Sequence, residues 1–302
     1  MNGCPAMFFS RMRPLVITLY TLAIAACSGG GDGGGSSGSS SGSSTPPPPP
    51  ATETIRIDDS AYRDFEAGDL LVFDVEADVQ QYLFGSVSAE EVVDTTFEYE
   101  LFNTDFVPNP GDPDAWANAE IFLIRTSTGE GESSSEYVYQ TGALVYDVGT
   151  PEGFSVSYDG EEGFYGSIRY PELVAGTSVD QTSELRRRDD GFLLSRRIST
   201  FTVSSPEVIE TPVGRIEAFP VTLDAEEEEY EPGSFTGTPI LSATLSAQYT
   251  YHIHPKIGVI SWTGNERYDD TPSSDDSFVE ITLNKHLLRS VNFPIPNPTP
   301  DS

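Results

Sequence analysis

The sequence predicts an all-β fold, a large curved antiparallel sheet, on three observations. Between Leu241 and Ile253 the odd positions are Leu241, Ala243, Leu245, Ala247, Tyr249, Tyr251 and Ile253, and the even positions are Ser, Thr, Gln or His. A period of two held this long means one strand with a buried and a wet face, roughly 43 Å long. Shorter alternations recur at Phe97 to Leu101 and Val279 to Leu283, and Asp189-Asp190-Gly191 is a hairpin turn signal. No stretch carries the apolar spacing of an ordinary amphipathic helix.

At the N-terminus, Arg11, Met12 and Arg13 precede an apolar run from Leu15 to Leu22, then small residues and a cysteine, Ile24-Ala25-Ala26-Cys27. Basic residues, a short apolar segment and small residues are the layout of a cleaved export signal. The run is short for a membrane span of about 20 residues, so an uncleaved anchor is the competing reading. Met7 and Met12 are alternative starts. The small residues closing on Cys27 resemble the lipobox of bacterial lipoproteins. That resemblance implies residues 1–26 as signal peptide and Cys27 as the lipidated first residue. One acyl chain holds a protein only marginally, so several are implied. With Ser28 next, the lipoprotein sorting pattern implies transfer to the outer membrane of a Gram-negative cell.

Residues 27–50 are expected to be a tether. Ser28 to Thr45 is nearly all Gly and Ser, a coil on the order of 20–25 Å end to end. Pro46 to Pro50 add a stiff piece of roughly 15 Å. The glycine and serine patterns inside this tract match dinucleotide and hydrolase signatures only through low complexity, because neither lies between a strand and a helix.

Residues 51–293 are long enough for a single β domain, and 294–302 are expected to be a disordered proline-rich tail. Strand candidates run over Leu70 to Val75, Ile121 to Arg125, Tyr137 to Gln140, Leu144 to Val148 and Phe154 to Tyr158. Loops are expected at Pro108 to Pro113, Ser127 to Ser135, Glu226 to Gly233 and Asp269 to Asp276.

The formal charge is -32, from 16 Lys and Arg against 48 Asp and Glu. Such a surface repels nucleic acid and anionic headgroups, which removes nucleic acid from the expected partners. The only cysteines are Cys4 and Cys27, so signal cleavage leaves the folded part without a disulfide or a reactive thiol.

Three segments together resemble uncharacterised bacterial outer-membrane lipoproteins. They are Tyr62-Arg63-Asp64-Phe65-Glu66-Ala67-Gly68-Asp69-Leu70, Thr211-Pro212-Val213-Gly214-Arg215-Ile216 and Tyr251-His252-Ile253-His254-Pro255-Lys256-Ile257-Gly258-Val259. The resemblance implies a half-open barrel as the alternative to the curved sheet, distantly similar in shape to the lipoprotein carriers, and brings no catalytic residues. The first segment lacks the family's usual proline, and Ile257 stands where the late turn has its first glycine.

Candidate chemistry is sparse. His252 and His254 share one strand face at metal-pair spacing, although solvated strand histidines are the bland alternative. Asn109, Asp112 and Asp114 form the best local oxygen set for calcium, without the full spacing of a calcium loop. Arg186, Arg187, Arg188, Arg196 and Arg197 crowd one hairpin. They suit either an anionic group or cross-strand pairing with neighbouring acids. Tyr249, Tyr251 and Trp262 are candidates for an apolar ligand face, with ordinary core packing as the plain alternative. No residue stands out as a nucleophile or as one of a catalytic carboxylate pair. The expectation is a non-enzymatic, lipid-anchored envelope protein. It would bind an apolar ligand or an envelope protein, need no cofactor, and face the periplasm or the cell surface. The alternatives are a calcium-dependent carbohydrate-binding or adhesive module and, behind it, an envelope enzyme.

Overall fold

In the computed structural model, which describes residues 53–58, 62–106, 120–128, 131–141, 144–150, 154–158, 167–187, 189–233, 238–270 and 277–300, the alternating segments become strands. In chain order the first eight are β1 (Glu53–Ile55), β2 (Leu70–Leu83), β3 (Ser86–Asn103), β4 (Ile121–Thr128), β5 (Gly131–Thr141), β6 (Leu144–Thr150), β7 (Phe154–Tyr158) and β8 (Ser167–Tyr170). The rest are β9 (Ser178–Arg187), β10 (Leu193–Val203), β11 (Glu207–Thr211), β12 (Gly214–Pro232), β13 (Pro239–His254), β14 (Gly258–Asp270), β15 (Phe278–Val291) and β16 (Thr299–Pro300).

Most sequence neighbours pair as hairpins, and the hydrogen-bonded row runs β10-β9-β7-β6-β5-β4-β3-β2-β15-β14-β13-β12, with β8 on β6. These thirteen strands pair antiparallel with one another. β1 runs parallel to the start of β12, β16 pairs β1, and β11 folds back on β12.

The all-β expectation stands, but the large curved sheet or half-open barrel does not form. β10, at the end of the row, pairs with β12 as well as β9 over Ser195–Val203. The thirteen strands make one antiparallel sheet that is neither closed into a barrel nor strongly curved. Side chains expected to line an apolar ligand face meet one another as core. Phe73, Val75, Ala77, Phe97, Phe201, Val221, Leu223, Tyr249, Trp262, Ile281 and Leu288 are buried in one cluster. Burying each large apolar side chain contributes about 1.5–3 kcal/mol.

Two expected loops are strands instead. Glu226 to Pro232 extends β12, because the period of two survives the acidic run. Glu227 turns inward and is 3% exposed, while Glu226 and Glu228 face out. Arg197 and Arg196 of β10 stand opposite Glu227 and Glu228 and offset the charge. Ser127 to Ser135 falls within β4 and β5 apart from residues 129–130. The expected loop at Pro108 to Pro113 lies outside the described residues.

Candidate functional site

Residues 62–69 form no strand, yet they are tied to one end of the molecule on every side. The Leu173 N–H donates to the Tyr62 hydroxyl oxygen (3.2 Å), and the Arg63 N–H donates to the Pro255 carbonyl (3.3 Å). Gln140 on β5 clamps the segment twice. It accepts from the Phe65 N–H (2.7 Å) and donates to the Arg63 carbonyl (3.0 Å). Gly68 and Asp69 then join the end of β3 through Leu101 (2.7 and 2.9 Å). A two-pronged ion pair locks the loop on itself, with both Arg63 terminal nitrogens donating to the Asp69 carboxylate at 2.6 Å. Asp69 also accepts from the Glu66 N–H (3.0 Å), and Arg63 lies 4.1 Å over the Phe293 ring. Two-pronged arginine–carboxylate pairs are among the stronger polar contacts a protein makes.

Beneath this cap is a cavity of about 110 Å³. Leu71, Leu101, Ile124, Val145, Leu173, Ile253 and Val259 form its apolar wall, and Arg63, Asp69, Gln140 and His254 supply its polar groups. Its floor is aromatic. Phe73 meets Tyr99 edge-on at 5.4 Å between ring centres, and Trp262 lies 5.8 Å from Phe73 and 6.2 Å from Tyr99. Under the floor, His286 stacks on Trp262 and lies 4.6 Å from Phe73. The Trp262 indole N–H and both His286 ring nitrogens are buried without a hydrogen-bond partner among the described residues. Burial alone holds the His286 imidazole well below its ordinary pKa, so it is neutral.

Trp262 is the candidate ligand-face residue that lines this cavity. Tyr251 stands behind it, 5.8 Å away. Tyr249 turns into the core and donates to the Glu266 carboxylate, and its burial pushes the phenol well above its ordinary range. The arginines do not converge. Arg186 bonds Glu184 (2.6 Å), Arg187 bonds Asp190 (3.1 Å), Arg196 faces solvent and Arg197 faces inward opposite Glu227.

The histidines also part. His252 bonds Ser261 and Glu207 (both 2.9 Å), whereas His254 is buried, accepts from the Lys256 N–H (3.1 Å) and is held below its ordinary pKa by desolvation. Among the described residues, no three His, Cys, Asp or Glu side chains are grouped as metal ligands. Cys27, Asn109, Asp112, Asp114 and Arg188 lie outside the described residues.

A second, open depression of about 650 Å³ lies on β10 and β12–β15, with Asp224, Glu226, Gln248, Asn265, Arg267 and Glu280 around it. Gln248 is spent on Asp224 (2.6 Å), and no aromatic ring lines the depression for a sugar to stack on.

Arg63, Asp69, Gln140 and His286 are site residues that alternation did not reveal. The signal for the first two was present, since both sit in the segment that carries the lipoprotein resemblance. The late turn from that resemblance, Pro255 to Gly258, also lines the cavity.

No protein-family model matches the chain, and no curated protein matches it. Solved chains similar to it include two bacterial ones. One is a Bacteroides fragilis chain described as an exported protein with a YmcC-like fold, at 10% identity and a TM-score of 0.34, covering 77% of this chain and 99% of that one. The other is a Parabacteroides distasonis chain described as a lipoprotein, at 10% identity and a TM-score of 0.36, covering 78% of this chain and 100% of that one. A likeness this loose says nothing about ligand or location.

Proposed function

We propose that this chain is a lipid-anchored cell-envelope protein whose β domain binds, without catalysis, a compact apolar group in the capped cavity. The observation that carries this reading is the aromatic floor of Phe73, Tyr99 and Trp262 under a cap tied down by Arg63, Asp69 and Gln140. Volume sets the ligand class. About 110 Å³ is somewhat less than the roughly 150 Å³ apolar cavity that takes benzene. The bound part is therefore no larger than one ring or a short branched chain, the end of a molecule whose remainder lies outside. Anchoring rests on the Cys27 lipobox, and the Gly/Ser/Pro tether gives the domain reach from the bilayer.

The test uses fluorescence quenching. The chain has two tryptophans, so Trp116→Phe leaves Trp262 as the sole emitter. Titration with short bromine-labelled alkyl and aryl carboxylates should quench Trp262 saturably. A cavity-filling Val259→Phe change should abolish the saturation. Quenching that stays linear in both proteins would dismiss the binding reading. The competing calcium-dependent carbohydrate module predicts instead a melting temperature raised by calcium and lowered by chelator.

A further inference from the structure

β3 is longer than the strand beside it. On one side it pairs with β2 from Leu83↔Ser86 to Leu70↔Glu100. On the other, β4 stops at Thr128 opposite Phe97. From Ser86 to Thr96, roughly 36 Å of strand, no described strand pairs with the outer edge of β3. Alternate backbone N–H and C=O groups along such an edge point outward and are a template for one more strand.

The side chains here are unlike those of an ordinary edge. Val87 and Val92 are 52% and 69% exposed, and Leu83 and Phe84 at the hairpin tip are 44% and 76% exposed. Phe84 holds a φ of 52°, a left-handed conformation that a bulky side chain rarely takes. With Gly85 at φ 70° it makes the two-residue turn whose twist suits a hairpin. The charged side chains of β3 from Ser86 to Thr96 are all acids, while behind them Lys285 of β15 pairs with Glu76 (3.0 Å) and Arg289 reaches Thr96 (3.4 Å). Glu90, Glu91 and Asp94 lie on β3, with Glu76 and Asp78 on the adjoining strand opposite Asp94 and Val92.

We infer that the outer edge of β3 from Ser86 to Thr96, which no described strand pairs, is a docking strand for an extended basic segment of another envelope protein, with lysine or arginine alternating with small apolar or β-branched residues. The backbone supplies the ladder, Val87 and Val92 supply apolar contact, and Glu90 and Asp94 select the charge of the partner. A second copy of this chain is disfavoured as occupant, because two chains of net charge -32 repel and would set acid against acid along the new ladder. This inference is independent of the capped cavity, which lies at the opposite end of β3.

The test uses the full chain and a peptide of alternating lysine and threonine about as long as the edge. Hydrogen exchange read by mass spectrometry should show amides from 86 to 96 protected when the peptide is added. Glu90→Lys should weaken binding about tenfold, as expected for a lost and reversed charge contact. Glu231→Lys, an exposed acid on β12, should change it less than twofold, and both variants should keep the far-ultraviolet spectrum of the parent. Binding without protection of 86–96, or an equal loss in both variants, would reduce the effect to diffuse attraction and overturn the inference. Protection of 86–96 in a self-associated chain without peptide would assign the edge to a second copy and overturn it as well.

Discussion

Glu266 is a carboxyl group in the packed interior, and its protonation gives the sharpest stability prediction. Its side chain accepts the Tyr249 hydroxyl and faces Arg197, Glu227 and Glu229. Burial pushes its pKa from 4.5 up to about 7, outweighing the Tyr249 hydrogen bond and the Arg197 charge, which pull it down. Because the folded value is raised, the native state holds a proton that the unfolded chain has lost. The associated stability is fully present below pH 4.5 and is lost as pH rises through about 7. A shift of about 2.5 units corresponds to on the order of 3 kcal/mol. Glu266→Gln keeps an acceptor for Tyr249 and removes the titration. Urea unfolding of both proteins at several pH values from about 4.5 to 8 measures the difference. The parent should lose on the order of 3 kcal/mol more than the variant across that range, with equal slopes in urea. Parallel profiles would refute the argument and mean that Glu266 is solvated or stably paired with Arg197.

Three further outcomes follow from the same packing. A Cβ at Gly264 would overlap the Gln248 carbonyl oxygen and the Tyr249 ring, so Gly264→Ala should cost about 1–3 kcal/mol in urea unfolding. Asp69→Asn removes the charge that holds both Arg63 nitrogens. It should cost about 2 kcal/mol and speed exchange of the Gly68 and Leu101 amides, which tie the cap to β3. His286→Leu replaces a buried ring without hydrogen-bond partners by an apolar one of similar size. It should leave stability unchanged or raise it by about 1 kcal/mol. Its advantage should grow as pH falls below about 6.5, where the unfolded parent takes up a proton that buried His286 refuses.

Strand identity was legible wherever alternation is clean, as in β13, because a one-residue slip would turn Tyr249 and Tyr251 to water. The hairpin at Asp189 to Gly191 was legible for the same local reason, with Gly191 at φ 70°. The pairing of β10 with β12 was not, since nothing local relates strands joined through the β11 hairpin, and strand length alone did not reveal how little the sheet curves. His286 was hidden by a register shift between Leu283 and Lys285. The shift moves the buried phase from Val279, Ile281 and Leu283 to His286 and Leu288. Glu266, by contrast, could have been read. It continues the inward series Trp262, Gly264, Glu266, where an acid is conspicuous. The cap was legible only as a resembling segment, because an irregular loop has no periodicity to betray which cavity it covers.

Binding in the capped cavity is tested most directly by where a compact apolar probe sits. Isotope-filtered nuclear magnetic resonance of the full chain with a short-chain or single-ring carboxylate would locate it. Magnetisation transfer from the probe to the rings of Phe73, Tyr99 and Trp262, together with shifted Gln140 and Leu101 signals, is the predicted result. Transfer only to residues around Gln248 and Arg267 on the outer face, or none at saturating probe, would contradict it.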